Sequence, residues 1–220
     1  MPANHPSAAR KSLFPREGVL LLGAGLLIVL AYFPTFFGEF ILDDRPFVKE
    51  NPYIREFHGP LSYLQQQDGV VTPRAGKTHS WYYRPLTNVT YSLDFKIWGL
   101  DPSGFRATNL ALHLLTCMVL YLCLKRFVKG GIAALVGALL FGLHPANTES
   151  VSWVASRNNI LVTLFCLGSL YFHLRWREGG ATRNGLLSLA CFSLALLSKE
   201  FAAMFLPILW LHDRYPGGNV

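Results

Sequence analysis

Charged side chains are scarce in this chain of 220 residues: 15% are charged, 51% are hydrophobic and the mean hydropathy is +0.30. This composition excludes an ordinary soluble domain, in which about a quarter of the residues are charged. The net charge of +7 does not indicate a nucleic-acid partner, because the basic residues lie between apolar runs and form no basic face. We therefore expect a polytopic membrane protein that does not bind nucleic acid.

Cysteine motifs and internal repeats are also missing from the sequence. The four cysteines lie inside apolar segments, without a CxxC pair or a metal-binding spacing. We expect these thiols to be small buried hydrophobic side chains. There is no 34-residue repeat and no low-complexity segment.

Long apolar runs divide the chain. The first, residues 18–37, has the length of a helix that crosses a hydrocarbon core, about 20 residues. It is long for a signal-peptide core, and no Ala-x-Ala site separates it from Asp43, so we expect an uncleaved first span. Further apolar segments follow at residues 105–127, 131–150, 158–176 and 186–211. The third segment contains His144 and Pro145, which we interpret as a structural break.

Lys199 and Glu200 interrupt the last apolar stretch and leave two interpretations: one long span that contains the charges, or two short spans that meet at them. A cytoplasmic amino terminus places most basic residues on the inner side, namely Arg10, Lys11, Arg16, Lys125, Arg126, Lys129, Arg175, Arg177 and Arg183. The short outer loop after the third segment then holds only Arg157. Two short spans also avoid an ion pair at mid-bilayer. We therefore predict an all-α integral membrane bundle of about six transmembrane segments, the last two forming a short hairpin.

The same orientation places residues 38–104 outside the membrane as one long loop. Within it, apolar residues recur at positions 86, 89, 93 and 97, which is the spacing of one helical face. We expect an amphipathic helix here that lies along the membrane surface, with Tyr91 and Trp98 near the headgroups. The expected organisation is a cytoplasmic tail at residues 1–17, a membrane module at 18–215 and a short tail at 216–220.

The predicted topology brings charged groups from distant parts of the sequence to the outer surface. They are Asp43, Asp44, Arg84, Glu149, Arg157, Lys199 and Glu200. Acids beside Arg and Lys suit group transfer from a lipid phosphate, because a carboxylate can accept a proton while cations hold the phosphate. Structural interpretations stay open: a turn at the aspartates, a headgroup anchor at Arg84, an ion pair between Glu149 and Arg157, and a polar hairpin tip at Lys199.

Four motifs carry a resemblance to a known family. They are Leu42-Asp43-Asp44, Tyr83-Arg84-Pro85-Leu86, His144-Pro145 with Thr148-Glu149 and Ser156-Arg157, and Leu197-Ser198-Lys199-Glu200 with Leu206-Pro207. In this order they resemble the motifs of the transmembrane and tetratricopeptide-repeat O-mannosyltransferases and their bacterial relatives, within the GT-C membrane glycosyltransferases. The resemblance covers residues 18–215, which is nearly the whole chain.

The resemblance implies an inverting transfer of mannose or a similar hexose from a polyprenyl-phosphate donor to a protein hydroxyl at the outer or lumenal face. It implies that Asp43 and Asp44 are the catalytic acids, one as base and the other orienting substrate or helping to hold a divalent cation. Mg²⁺ and Mn²⁺ are the candidate ions, and the need for a metal stays open. The lipid phosphate or sugar would be bound by Arg84, Glu149, Arg157, Lys199 and Glu200.

Members of that family continue with further membrane helices and usually with helical repeats, whereas this sequence ends at Val220. We therefore expect an incomplete module whose partner is its carboxy-terminal part, and whether this chain alone transfers sugar stays open. The short loops favour a bacterial inner membrane over the endoplasmic reticulum membrane. The alternative function is a membrane transporter or lipid-handling protein without transferase activity, in which the charges line a gated pathway.

Overall fold

The computed structural model describes residues 14–55, 59–65 and 83–214. Within these ranges every regular element is helical, so the predicted all-α class is confirmed for the described part of the chain. The predicted tails, up to residue 13 and from residue 215, lie outside the described residues. So do residues 56–58 and 66–82 of the predicted external loop.

The described residues form nine α-helices. They are α1 (Phe14–Tyr32), α2 (Pro60–Gln65), α3 (Pro85–Trp98), α4 (Pro102–Phe127), α5 (Gly131–Gly142), α6 (Asn147–Ser152), α7 (Arg157–Gly179), α8 (Thr182–Ser198) and α9 (Leu206–Arg214). Short 3₁₀ turns lie at Phe33–Phe37, Pro52–Ile54, Val154–Ser156 and Glu200–Phe205, and a π-helical turn lies at Arg45–Lys49. The predicted interruption at Lys199 and Glu200 is confirmed, because α8 ends immediately before it.

Two helical stretches, Glu17–Phe37 and Pro102–Phe127, have the length and hydropathy needed to cross a bilayer, and Gly131–Gly142 is a shorter apolar helix. On α1, the exposed apolar side chains include Val19 and Leu22, which are 69% and 77% exposed. Exposed apolar surface of this kind is typical of a face that contacts a membrane or another protein. These helices correspond to the first three predicted segments, and the count of six stays a prediction.

The bundle packs around α4 and α7. An apolar cluster that includes Ile28, Leu110, Val151 and Ile160 joins α1, α4, α6 and α7. Gly142 allows α5 to approach α1, since a Cβ atom at this position would lie 2.5 Å from Ile28 Cδ1. Close helix contact therefore depends on a missing side chain as well as on apolar packing.

The third predicted segment is broken, as His144 and Pro145 indicate. Helix α5 ends at Gly142 and α6 begins at Asn147. Between them, His144 Nδ1 accepts a hydrogen bond from the Ala146 backbone N–H at 3.2 Å. Pro145 has no N–H to continue the helical pattern, so the chain turns here.

Helix α3 covers the apolar positions 86, 89, 93 and 97 that predict it, but its polar side faces the protein. Asp94 and Ser92 are buried, whereas Leu93 and Ile97 are 43% and 67% exposed. Tyr91, expected near the headgroups, is buried instead, and its hydroxyl donates to the Val154 carbonyl at 2.8 Å. The exposed apolar side is the arrangement expected of a helix that lies on a membrane.

Candidate active site

The two adjacent aspartates that follow α1 occupy different environments. They lie in a turn in which Leu42 has a φ of +44°, a left-handed conformation that is uncommon for a residue other than glycine. Asp44 is fully buried, whereas Asp43 is exposed. The strained turn therefore directs one carboxylate into the protein and the other to its surface.

Asp44 joins two segments of backbone. Its Oδ2 accepts from the Ile41 N–H at 3.1 Å, and its Oδ1 accepts from the Ala155 N–H at 2.7 Å. Burial raises the pKa of Asp44 above its ordinary value, although these two N–H groups oppose that shift. Because each carboxylate oxygen accepts a backbone N–H, Asp44 is suited to fix the position of the turn.

Asp43 lines a polar cleft of about 210 Å³ at one end of the bundle. The other lining residues are Phe47, Arg84, Trp153, Ala155, Ser156, Asn158, Asn159 and Lys199. They come from the π-helical turn at Arg45–Lys49, the start of α3, the chain between α6 and the start of α7, and the end of α8. These parts are far apart in the sequence. The structure thus brings together Asp43, Arg84 and Lys199, as the predicted topology requires.

Neighbouring side chains orient the two cations of the cleft. Lys199 Nζ donates to Asn159 Oδ1 at 2.6 Å, and Arg84 Nη2 lies 3.3 Å from Glu200 Oε1. The Glu200 side chain is 63% exposed, so it forms the rim of the cleft. A lysine ammonium has three N–H donors, and the bond to Asn159 uses one. Lys199 can therefore also donate to an anionic ligand.

Arg157, which the sequence predicts to bind substrate, lies in the core and does not line the cleft. Its guanidinium donates to Asn109 Oδ1 at 2.6 Å, to the Phe105 carbonyl at 3.0 Å and to Asp94 Oδ2. It also lies over the Tyr91 ring, 4.8 Å from the centroid. The side chain is fully buried and its donors face protein acceptors, so Arg157 is a structural residue.

Glu149 is exposed on α6 and does not line the cleft. It does not form the ion pair with Arg157 that the sequence left open, because Asp94 is the acidic partner of Arg157. Burial raises the pKa of Asp94, and the Arg157 charge opposes that shift. The structural role of Asp94 was not predicted. The one signal in the sequence was an acid on the polar side of an amphipathic helix.

Three further polar residues were not predicted. Asn158 and Asn159 line the cleft, and their signal was a pair of amides at the start of an apolar segment. Arg106 is buried and donates to the carbonyls of Gly38, Glu39 and Ser152, the last at 3.0 Å. It therefore holds the backbone that leads to the aspartates, although it lies within an apolar run with no motif around it.

The two carboxylates of the pair differ in their protein partners. Each oxygen of Asp44 accepts one backbone N–H, whereas Asp43 is exposed in the cleft. A carboxylate oxygen has two lone pairs, so these bonds do not exclude a cation. The divalent cation at the pair stays a prediction.

Comparison with known proteins shows which sequences the chain resembles. Residues 83–213 match the family model described as dolichyl-phosphate-mannose-protein mannosyltransferase. The chain is 30% identical over 222 residues to protein O-mannosyl-transferase TMTC1 of Homo sapiens, which covers 93% of this chain and 25% of that protein. It is 28% identical over 185 residues to protein O-mannosyl-transferase F38B6.6 of Caenorhabditis elegans, covering 83% and 26%.

The chain is also 27% identical over 162 residues to protein O-mannosyl-transferase TMTC3 of Homo sapiens, covering 73% of this chain and 17% of that protein. It thus spans about a quarter or less of the length of these curated relatives. No solved structure shows a significant match to the chain. The matched region of the family model includes Arg84, Lys199 and Glu200 but begins after the aspartate pair.

Proposed function

The chain belongs to the dolichyl-phosphate-mannose-protein mannosyltransferase family, and on that premise we propose that it transfers mannose or a similar hexose from a polyprenyl phosphate to a protein hydroxyl. The acceptor oxygen forms a bond to the anomeric carbon while the bond from that carbon to the phosphate oxygen breaks. The hydroxyl proton passes to a base, and polyprenyl phosphate leaves with the bonding electron pair. The protein must therefore supply a base near the acceptor and positive charge near the phosphate.

We assign the role of base to Asp43. Its carboxylate is exposed in the cleft, whereas both oxygens of Asp44 are held by backbone N–H groups. This difference between the two side chains is the observation that carries the proposal. Asp44 then acts as a positioning residue that fixes the turn at residues 41–44.

Lys199 and Arg84 supply the positive charge. Both line the same cleft as Asp43, and Asn159 and Glu200 orient them. A mobile ammonium and a planar guanidinium together match the oxygens of a phosphate that accumulates charge as the sugar departs. Asn158 offers an amide that can hydrogen-bond sugar hydroxyl groups.

The distribution of basic residues supports a membrane arrangement that goes with this assignment. We infer a multi-pass protein of about six spans with a cytoplasmic amino terminus and the cleft at the outer or lumenal face, in a bacterial inner membrane. At the end of the bundle away from the cleft, Lys125 Nζ lies 2.8 Å from Glu17 Oε1, and Arg126 pairs with Glu178. Basic residues collected at one end are typical of the cytoplasmic side.

The test replaces Asp43 in the full-length protein in native membranes supplied with labelled polyprenyl-phosphate mannose and an acceptor polypeptide. We expect Asp43→Asn to lower the rate of mannose transfer by about 10²–10⁴-fold, the range that general-base catalysis contributes. The matched control is Glu50→Gln, which neutralises another exposed acid in the same segment and should keep the wild-type rate. Unchanged transfer by Asp43→Asn would contradict the assignment, as would a wild-type protein that transfers no mannose.

A further inference from the structure

A second group of ligating side chains lies away from the cleft. His173 on α7 and His212 and Asp213 on α9 each place a ligand atom within 4.8 Å of the others. Asp213 Oδ1 lies 2.9 Å from His173 Nε2 and 3.8 Å from His212 Nδ1. His173 is 16 residues beyond Arg157 along α7, about 24 Å from the cleft end of that helix. This group therefore has no part in the proposed transfer reaction.

The chemistry of these three donors is that of a transition-metal site. Two imidazoles and one carboxylate are a frequent ligand set for Zn²⁺ and related divalent ions, with a water molecule in the remaining position. Nitrogen and oxygen ligands at about 2.0–2.1 Å in a tetrahedron lie roughly 3.3 Å apart. The observed separations differ from that value by at most about 1.5 Å, which rotation of the partly exposed His212 ring can close.

An unsatisfied nitrogen marks the same place. Among the described residues, His212 Nδ1 is enclosed and has no hydrogen-bond partner. Buried polar atoms without a partner are uncommon, because leaving one unpaired costs about 1–3 kcal/mol. A cation beside Asp213 would satisfy this nitrogen, since a neutral imidazole offers one lone pair to a metal.

The surroundings hold the donors in place. The His173 side chain is 9% exposed, and its ring packs edge-on against His212, with centroids 5.8 Å apart, and against Trp176. Arg177 Nε lies 3.2 Å from Asp213 Oδ1. The same Oδ1 atom faces both histidines. A carboxylate has about four lone-pair sites on its two oxygens, so Arg177 can orient Asp213 while the same side chain binds a cation.

We propose that His173, His212 and Asp213 bind one divalent transition-metal ion of the Zn²⁺ class and that this ion fastens α9 to α7. The site is independent of the cleft and of the proposed transfer of mannose. The ligands come from two helices, and His173 and Asp213 are 40 positions apart in the sequence. Without the ion, the same residues form an ion-pair cluster around Asp213.

The experiment titrates Zn²⁺ into the purified chain in detergent, with an affinity tag that contains no histidine. Isothermal titration calorimetry should show one Zn²⁺ per chain, and Zn²⁺ should raise the unfolding temperature because it binds only the folded form. His212→Asn and His173→Asn should each weaken Zn²⁺ binding by more than about 100-fold, since even an outer partner of a ligand contributes 10–100-fold. His144→Asn, which changes an exposed histidine elsewhere, should bind Zn²⁺ like the wild type.

A conservative variant separates ligation from folding. His212→Cys retains a zinc ligand, so it should restore binding and, with Co²⁺ in place of Zn²⁺, add the absorption of a thiolate-to-metal charge transfer. His212 is partly exposed, so its variants should fold even if those of His173 do not. The proposal is overturned if the wild type takes up no Zn²⁺, if His212→Asn binds as tightly as the wild type, or if His212→Cys shows no such absorption.

Discussion

The buried arginine cluster consists of Arg157 and its partners Asp94 and Asn109. It contains an acid, a guanidinium and an amide, as the polar cleft does, yet the two regions are built in opposite ways. In the cleft, Asp43 is exposed, and the bond to Asn159 uses one of the three N–H donors of Lys199. In the cluster, Arg157 is fully buried and is surrounded by protein acceptors, with Asp94 as its counter-charge. The neighbours of a charged residue, and not its place in a motif, decide whether it can bind a ligand.

The two regions also contribute to different free energies, namely those of folding and of ligand binding. A fully buried ion pair strongly resists removal of one partner, because the other charge is then left in a low-dielectric site. An ion pair at the rim of a cleft, such as Arg84 with Glu200, contributes little because water screens it. The comparison therefore predicts large losses of stability in the cluster and losses of binding in the cleft.

The largest effect on stability is expected at Arg157. Arg157→Met leaves Asp94 charged and unpaired and should lower the free energy of unfolding by about 3–5 kcal/mol. Chemical denaturation of the purified protein in detergent would measure this loss. The control is Arg183→Met, which changes an exposed arginine on α8 and should stay within about 0.5 kcal/mol of the wild type. If Arg157→Met had the wild-type free energy of unfolding, the cluster would not stabilise the core.

Removing the cleft lysine should act on binding. Lys199→Met deletes a charge-assisted hydrogen bond to the donor phosphate, worth about 1.5–3 kcal/mol, and should weaken binding of labelled polyprenyl-phosphate mannose about 10–100-fold. Stability should change little, because Lys199 is partly exposed. Equilibrium binding to the purified protein measures the effect, with Lys96→Met on the exposed side of α3 as the control. Equal losses of binding in Lys199→Met and Lys96→Met would contradict a specific role of the cleft in donor binding.

Asp44 is the buried neighbour of the exposed acid in the cleft, so it tests the difference between the two kinds of environment. Asp44→Asn keeps one carbonyl oxygen but replaces the other acceptor with an N–H₂ group, so the N–H of Ile41 or Ala155 loses its partner. We expect the free energy of unfolding to fall by about 1–3 kcal/mol. Asp43→Asn, in contrast, should keep the wild-type unfolding curve. If the two variants exchanged these properties, the roles of base and positioning residue would have to be exchanged too.

The smallest effect is expected at the rim. Burial raises the pKa of Glu200, but its own backbone N–H and Arg84 lower it by more, so the pKa lies below its ordinary value. The stability from this group is therefore present above the ordinary pKa and is lost as the pH falls through the lowered one. Glu200→Gln should cost less than about 1 kcal/mol at neutral pH, and the difference should disappear in acid. Thermal unfolding from neutral to acidic pH tests this expectation, and a gap that persists in acid would contradict it.

The local elements of the fold follow from the sequence. The apolar spacing of residues 86–97 predicts α3, and Pro85 and Gly99 explain where it begins and ends, since proline suits the first helical turn and Gly99 has a φ of +64°. The charges at Lys199 and Glu200 likewise predict the end of α8. These features depend on neighbours a few residues away, which periodicity and end signals describe.

The long-range partners could not be predicted in the same way. Arg157 is paired with a residue 63 positions earlier, and Asp44 binds a backbone N–H 111 positions later. The predicted topology places Asp43, Arg84 and Lys199 at one end of the bundle, because charges avoid the interior of a membrane. It could not tell which of two adjacent aspartates turns inward, since that depends on the left-handed backbone at Leu42.

The arginine cluster also links three helices, α3, α4 and α7. The acceptors for Arg157 come from α3 and α4, which are synthesised before α7, and Arg157 is the first residue of α7. A guanidinium that reaches the bundle before Asp94 is in place has no counter-charge, so its burial is strongly unfavourable. Stable docking of α7 therefore depends on α3 being packed against α4, so that Asp94 faces Arg157. The charge pair thereby couples the core of the bundle to the segment between α1 and α4, which supplies Asp43 and Arg84 to the cleft.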